Sequence, residues 1–233
     1  MFEQWPDQPG VHNLRGSDRA GEAGLVSVGL PVTATAGVPL VLVLHYGGEP
    51  QGFYGRALLE MLVGPAWAEL GAVMIAPVAA GGDWTTARNR AFALAAMEAF
   101  EQHYHTDPAQ RVLVGYSMGA IGVWHFLGES VAEFSAAIAI AGPAPELDLA
   151  TTVPVTALNS GGDRLFPLAS TASAVADLAN RGFPIRLSTI EGVDHFGIDQ
   201  AVHLGPDFGR APGAGMGGLL RDQIEQARLE SDG

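Results

Sequence analysis

A chain of 233 residues with 48% hydrophobic and 16% charged residues carries enough apolar sequence for one large core, which excludes a disordered or coiled-coil protein. Its 12 basic residues against 25 acidic ones give a formal charge of −13, so no electrostatic footprint for nucleic acid or an anionic membrane surface is present. The sequence contains no cysteine, which excludes disulfides, thiolate metal sites and cysteine nucleophiles.

The start, Met1-Phe2-Glu3-Gln4-Trp5-Pro6-Asp7, has neither the basic nor the apolar region of a signal peptide, and no run approaches the ~18 apolar residues of a membrane span. A cytoplasmic protein without membrane or nucleic-acid partners is expected. Residues 1–24 read as an irregular, Gly- and Pro-rich lead-in. Leu25–Thr35 alternates well enough for one or two edge strands punctuated by Pro31. Pro39–Leu44 is a continuous apolar run, the pattern of a strand buried on both faces, and it ends in His45-Tyr46-Gly47-Gly48.

Phe53–Leu70 predicts a helix with Leu58, Leu59, Leu62, Trp67 and Leu70 on its apolar face, interrupted at Pro65. A strand over Ala72–Ala76 and a long helix over Thr85–Tyr104 follow, then the Asp107-Pro108 turn. Val112–Val114 is the next buried strand, and it runs into Gly115-Tyr116-Ser117-Met118-Gly119 and a helix with Ile121, Val123, Trp124 and Leu127 as apolar positions. Further strands are expected at Ala136–Ile140, Val153–Leu158 and Ile185–Ile190, with a helix over Ala172–Asn180. This alternation argues for one α/β domain over residues 1–233, built on a mostly parallel, doubly wound sheet flanked by helices. Residues 205–218 read as a glycine-rich loop and 219–229 as a closing amphipathic helix.

Strand, G-x-S-x-G, helix is the context of a nucleophile elbow. The turn is tight enough to strain the backbone at Ser117 and to require small residues at Gly115 and Gly119. A serine hydroxyl reacts only when a base removes its proton and a third group orients that base. The elbow therefore demands an acid and then a histidine at later strand ends. Asp163 stands in the loop after the strand ending at Leu158, and His195 in the loop after the strand ending at Ile190. Glu191 and Asp194 compete for the acid role, but they sit too near His195 in sequence to orient its ring from behind. The oxyanion hole needs two N–H groups. Met118, just after the nucleophile, supplies one; Tyr46 is the candidate for the other, with Gly47 as the alternative. Gly47, Trp84, Tyr116, Leu165 and Phe196, with Phe53 and Tyr54, are candidate walls of a substrate pocket.

The pieces LHYGG (44–48), DPAQRVLVGYSMGA (107–120), GGDRLFP (161–167) and GVDHFG (192–197) resemble the α/β-hydrolase superfamily, in particular its small esterases grouped with phospholipase/carboxylesterases and polyhydroxybutyrate-depolymerase-like proteins. The resemblance covers residues 38–200. It implies the α/β-hydrolase fold and a serine esterase that hydrolyses carboxylic esters of small molecules without metal or cofactor. It places nucleophile, acid and base on Ser117, Asp163 and His195. Two departures stand out. Ala120 occupies a position where many relatives have a second glycine. The segment between Ala141 and Val153 is about a dozen residues, too short for the cap domain often inserted there, so an open site without a large cap is expected. A peptidase, thioesterase or acyltransferase on the same triad, a non-catalytic ligand-binding protein, and a metal-dependent hydrolase using His45 and His195 are the competing readings.

Overall fold

The computed structural model describes residues 2–17, 20–32, 36–67, 70–129, 133–146, 148–190 and 192–197. Its frame is an eight-stranded sheet in the order β1-β2-β4-β3-β5-β6-β7-β8. The strands are β1 (Gly10–Ser17), β2 (Ala23–Leu30), β3 (Leu40–Leu44), β4 (Val73–Pro77), β5 (Arg111–Tyr116), β6 (Ala136–Ile140), β7 (Val155–Ser160) and β8 (Ile185–Ile190). From β4 to β8 the pairing is parallel, whereas β1 with β2 and β2 with β4 are antiparallel. The register aligns the carboxyl ends of the parallel strands, with Leu44 opposite Gly115, Tyr116 opposite Ile140 and Ser160 opposite Ile190. All loops with predicted chemistry therefore leave from one edge of the sheet, where ligands of open α/β sheets bind.

Because successive side chains of a strand point to opposite faces, the apolar run of β3 serves two cores. Leu40, Leu42 and Leu44 join Phe92, Phe100, Val123, Phe126 and Leu178 on one face. These come from α3 (Ala87–Tyr104), α4 (Met118–Glu129) and α5 (Leu168–Asn180). Val41 and Val43 join Leu58, Leu59, Leu62 and Trp67 on the other. That second set lies on α1 (Arg56–Leu58), a π-helical turn over Leu59–Val63, and α2 (Gly64–Trp67). The interruption expected at Pro65 takes this form. Proline has no N–H and its ring would strike the carbonyl four residues back, and the widened turn, closed by Gly64 N–H on the Leu59 carbonyl, relieves that clash.

The irregular lead-in is corrected: residues 10–17 form β1, and β2 begins at Ala23. In β1 only Leu14 is buried, so its polar sequence carries no apolar period, and pairing with β2 supplies its order. Ser27 ties the pair together by donating to Asn13 Oδ1 at 2.9 Å. Ahead of β1, Phe2 is buried and Trp5 packs edge-on against Phe100 of α3. Of the segment read as edge strands over Leu25–Thr35, residues 25–30 belong to β2, which ends before Pro31 and lies one strand in from the edge, and residues 33–35 lie outside the described residues. Two boundaries also move: β7 ends at Ser160, and α5 starts at Leu168, four residues before Ala172. Between β6 and β7, the described residues of 141–154 form no helix or strand. The loop and helix expected at 205–218 and 219–229 lie outside the described residues.

Candidate active site

The turn from β5 into α4 sets the geometry of the site. Ser117 has a φ of 57°, a left-handed conformation rare for a residue with a side chain, and one that lifts the hydroxyl clear of the strand end. The glycines on either side are required by contact. A Cβ at Gly115 would strike the Gly119 carbonyl, and one at Gly119 would strike the Leu44 carbonyl. Ala120 fits in place of a second glycine because its methyl faces Gly142 of the neighbouring loop, a position where a Cβ would collide with it.

Ser117 Oγ lies 3.0 Å from His195 Nε2, and His195 Nδ1 lies 2.8 Å from Asp163 Oδ2. The carboxylate fixes the proton on Nδ1, which leaves Nε2 to accept from the serine hydroxyl. Both partners are buried, and the other Asp163 oxygen accepts the N–H groups of Leu165 and Phe166, each at 2.8 Å. Asp163 thus accepts three hydrogen bonds, two of them from the backbone of its own loop, and these hold the carboxyl group in place. Of the competing acids, Asp194 caps its own turn by accepting from Phe196 and Gly197, and Glu191 lies outside the described residues.

Two hydroxyls position the loop that carries His195. Ser160, at the end of β7, donates to the Val193 carbonyl, and Tyr116 donates to the carbonyl of His195 itself. The Tyr116 ring also lies nearly parallel to the imidazole, 15° off, at a centroid distance of 5.8 Å. Neither tether was among the residues given a positioning role on sequence grounds. A signal exists for one: Asn159 and Ser160 are polar side chains at the end of a fully buried strand, and such groups need partners. Asn159 finds its partner in the Gly142 carbonyl at 2.9 Å.

The loop after β3 lies against the first turn of α4, where a Cβ on Gly47 would sit 3.4 Å from Met118 Cβ. Met118 opens the helix, where backbone N–H groups have no intrahelical acceptor. Gly47 N–H has no acceptor among the described residues. Tyr46 packs against Tyr54 and Tyr116. Leu165 and Phe196 are exposed at the rim, by 57% and 79%, beside Asp163 and His195.

Trp84 is a correction. It is fully buried and cannot line a solvent-open pocket; its indole N–H donates to the His45 carbonyl at 2.9 Å, beneath the loop. A 3₁₀ turn at Ala80–Gly82 carries the chain inward before residue 84, a path that Gly81-Gly82-Asp83 does not reveal in sequence. His45 is buried with both ring nitrogens engaged inside the protein, to Ala79 N–H and the Tyr46 carbonyl, which removes it as a free metal ligand.

Neither a protein-family model nor a curated protein matches the sequence. Solved structures do match in fold. A thermostable esterase is 19% identical with a TM-score of 0.60, the match covering 95% of this chain and 62% of that one. The S-formylglutathione hydrolase FrmB of Staphylococcus aureus is 13% identical with a TM-score of 0.66, covering 95% and 100%. The acylaminoacyl peptidase of Pyrococcus horikoshii is 12% identical with a TM-score of 0.61, covering 99% and 41%. This chain has the α/β-hydrolase fold. The mostly parallel eight-stranded sheet with flanking helices matches these structures in fold, and the chain spans about three fifths of the thermostable esterase and two fifths of the peptidase.

Proposed function

We propose that the protein is a serine hydrolase that cleaves carboxylic esters of small molecules through an acyl-enzyme on Ser117. The observation that carries the reading is the continuous relay from Ser117 through His195 to Asp163, at 3.0 and 2.8 Å, on an elbow with a positive φ. Ser117 Oγ attacks the ester carbonyl as its proton passes to His195 Nε2, and Asp163 stabilises the imidazolium that forms. The N–H groups of Met118 and of Tyr46 or Gly47 receive the oxyanion. His195 then returns the proton to the departing alkoxide, releasing an alcohol. Water attacks the acyl-enzyme by the same route and releases the acid.

The short segment after β6 and the exposed Leu165 and Phe196 support an open, apolar rim for acyl or alcohol groups. Hydrolysis of p-nitrophenyl acetate, butyrate and octanoate by wild type and Ser117→Ala tests the proposal. Loss of at least ~10³-fold in kcat on substitution, with wild-type rates unchanged by EDTA, is the expected result. Equal rates for the two proteins overturn it, and turnover confined to peptide substrates moves the same triad to a peptidase.

A further inference from the structure

We infer that His45 and Trp84 are positioning residues of the oxyanion loop, which aim its N–H groups by holding the carbonyls of the same peptides from the core side. The inference rests on the serine-hydrolase reading above.

A trans peptide unit is planar, with C=O and N–H pointing in opposite directions, so a bond that fixes one end fixes the other; no peptide among the described residues is cis. The Trp84 indole holds the His45 carbonyl at 2.9 Å, and that peptide carries the Tyr46 N–H. His45 Nδ1 lies 2.7 Å from the Tyr46 carbonyl, and that peptide carries the Gly47 N–H. Tyr54 OH donates to the Gly47 carbonyl at 3.0 Å and holds the peptide that follows. Three consecutive peptides of the loop are thus each gripped at the oxygen by a side chain.

The His45 ring has one possible tautomer. Ala79 N–H donates to Nε2 at 3.0 Å, so Nε2 is unprotonated and Nδ1 must carry the hydrogen that reaches Tyr46. Burial lowers the pKa of this ring and keeps it neutral, so the acceptor and the donor coexist. The support under it is also fixed. Asn89 of α3 accepts from Ala80 N–H at 3.0 Å and donates to the Ala80 and Asp83 carbonyls at 2.9 and 2.7 Å, which immobilises the segment between Ala79 and Trp84. Trp84 in turn packs on α4 at Gly122, where a Cβ would lie 2.7 Å from Trp84 Cβ. The brace therefore ties the oxyanion loop to the helix that begins beside Ser117.

Two substitutions at one position separate aiming the loop from merely fastening it. In His45→Asn the amide nitrogen takes the place of Nδ1, so the donor to Tyr46 survives and the acceptor for Ala79 is lost. In His45→Gln the amide oxygen reaches the place of Nε2, so the Ala79 bond survives and the Tyr46 bond is lost. Trp84→Phe deletes only the indole N–H and part of the ring. For each variant we would measure the rate at which a fluorophosphonate labels Ser117, kcat and KM on p-nitrophenyl butyrate, the Kd of phenylboronic acid (whose serine adduct places an anionic oxygen in the hole), and the melting temperature.

Loss of an oxyanion donor costs about 10²–10³ in kcat, and a misaimed donor loses part of that. His45→Gln and Trp84→Phe should lower kcat by about 10- to 100-fold and weaken the boronate by the same factor, with KM within about twofold. His45→Asn should lie nearer wild type. The reverse order, with Gln better than Asn, overturns the inference and leaves His45 as a tie between β3 and β4. So does a fall in melting temperature with boronate affinity unchanged. If neither His45 variant folds, Trp84→Phe decides alone. Failure of the underlying reading looks different: folded wild type would then leave Ser117 unlabelled, and the inference would fall with it.

Discussion

Two loops meet over Ser117 and are fixed in opposite ways. The loop after β3 is gripped from beneath by buried side chains, His45 and Trp84, at successive carbonyls. The loop after β8 is held from the side by two hydroxyls, Ser160 and Tyr116, and presents Phe196 to solvent. The difference follows the chemistry proposed for each. Oxyanion donors must be aimed before charge develops, because reorganising them in the transition state would cost much of what they contribute. The imidazole is oriented by its own carboxylate, and the loop around it needs only to supply the ring in place.

Perturbations on the two sides should therefore separate. Asp163→Asn is expected to have the largest effect, a fall of roughly 10³–10⁴ in kcat with KM nearly unchanged, since an amide favours the wrong imidazole tautomer. Steady-state ester hydrolysis measures it. Next comes Gly119→Ala, which forces a methyl into the Leu44 carbonyl between elbow and oxyanion loop. Urea unfolding should register a loss of about 2–4 kcal/mol, along with lower activity in whatever remains folded. Tyr116→Phe removes one hydroxyl bond on the His195 loop and should slow kcat about three- to tenfold, in line with ~1 kcal/mol for a typical net hydrogen bond. At the rim, Phe196→Ala should leave stability within about 0.5 kcal/mol and raise KM for octanoate more than for acetate. A uniform change across chain lengths would remove Phe196 from the acyl-binding surface.

The smallest expected effect concerns pH. Burial holds the pKa of His45 below its ordinary value of 6.5, so the unfolded chain takes up a proton that the folded ring refuses. Stability from this group is complete above pH 6.5 and declines as pH falls from there toward the lowered folded value. His103 and His125 are shifted in the same direction. Melting temperature followed from pH 7.5 to 5 should fall for wild type and fall less for His45→Gln.

Sequence made one side of this site more legible than the other. Ser117 could be named because it follows the apolar run Val112–Val114, and Asp163 and His195 because each follows a later strand and an elbow serine requires an acid and then a histidine after it. His45 and Trp84 carry no such demand. Their task is defined by which carbonyl lies above them, and that depends on the inward path of Ala79–Trp84, set by Asn89 from a different element. A histidine directly ending the wholly apolar Leu40–Leu44 was the available clue, since a ring at that depth has to be neutral and bonded at both nitrogens. The strand Gly10–Ser17 escaped for another reason: with one buried side chain, its register is set by its partner and not by its own pattern.

The order of strands in the sheet bears on how the molecule comes apart. Ser117 leaves β5, which has a strand on each side, whereas His195 follows β8, which among the described residues pairs only with β7 and is half-exposed along most of its length. Amide protons of β8 should exchange with deuterium before those of β5, as peripheral segments open at lower free energy than central ones. Hydrolysis should then fade in denaturant concentrations where tryptophan fluorescence still reports an intact core, and return at once on dilution. Ser117 would stay seated while His195 comes and goes.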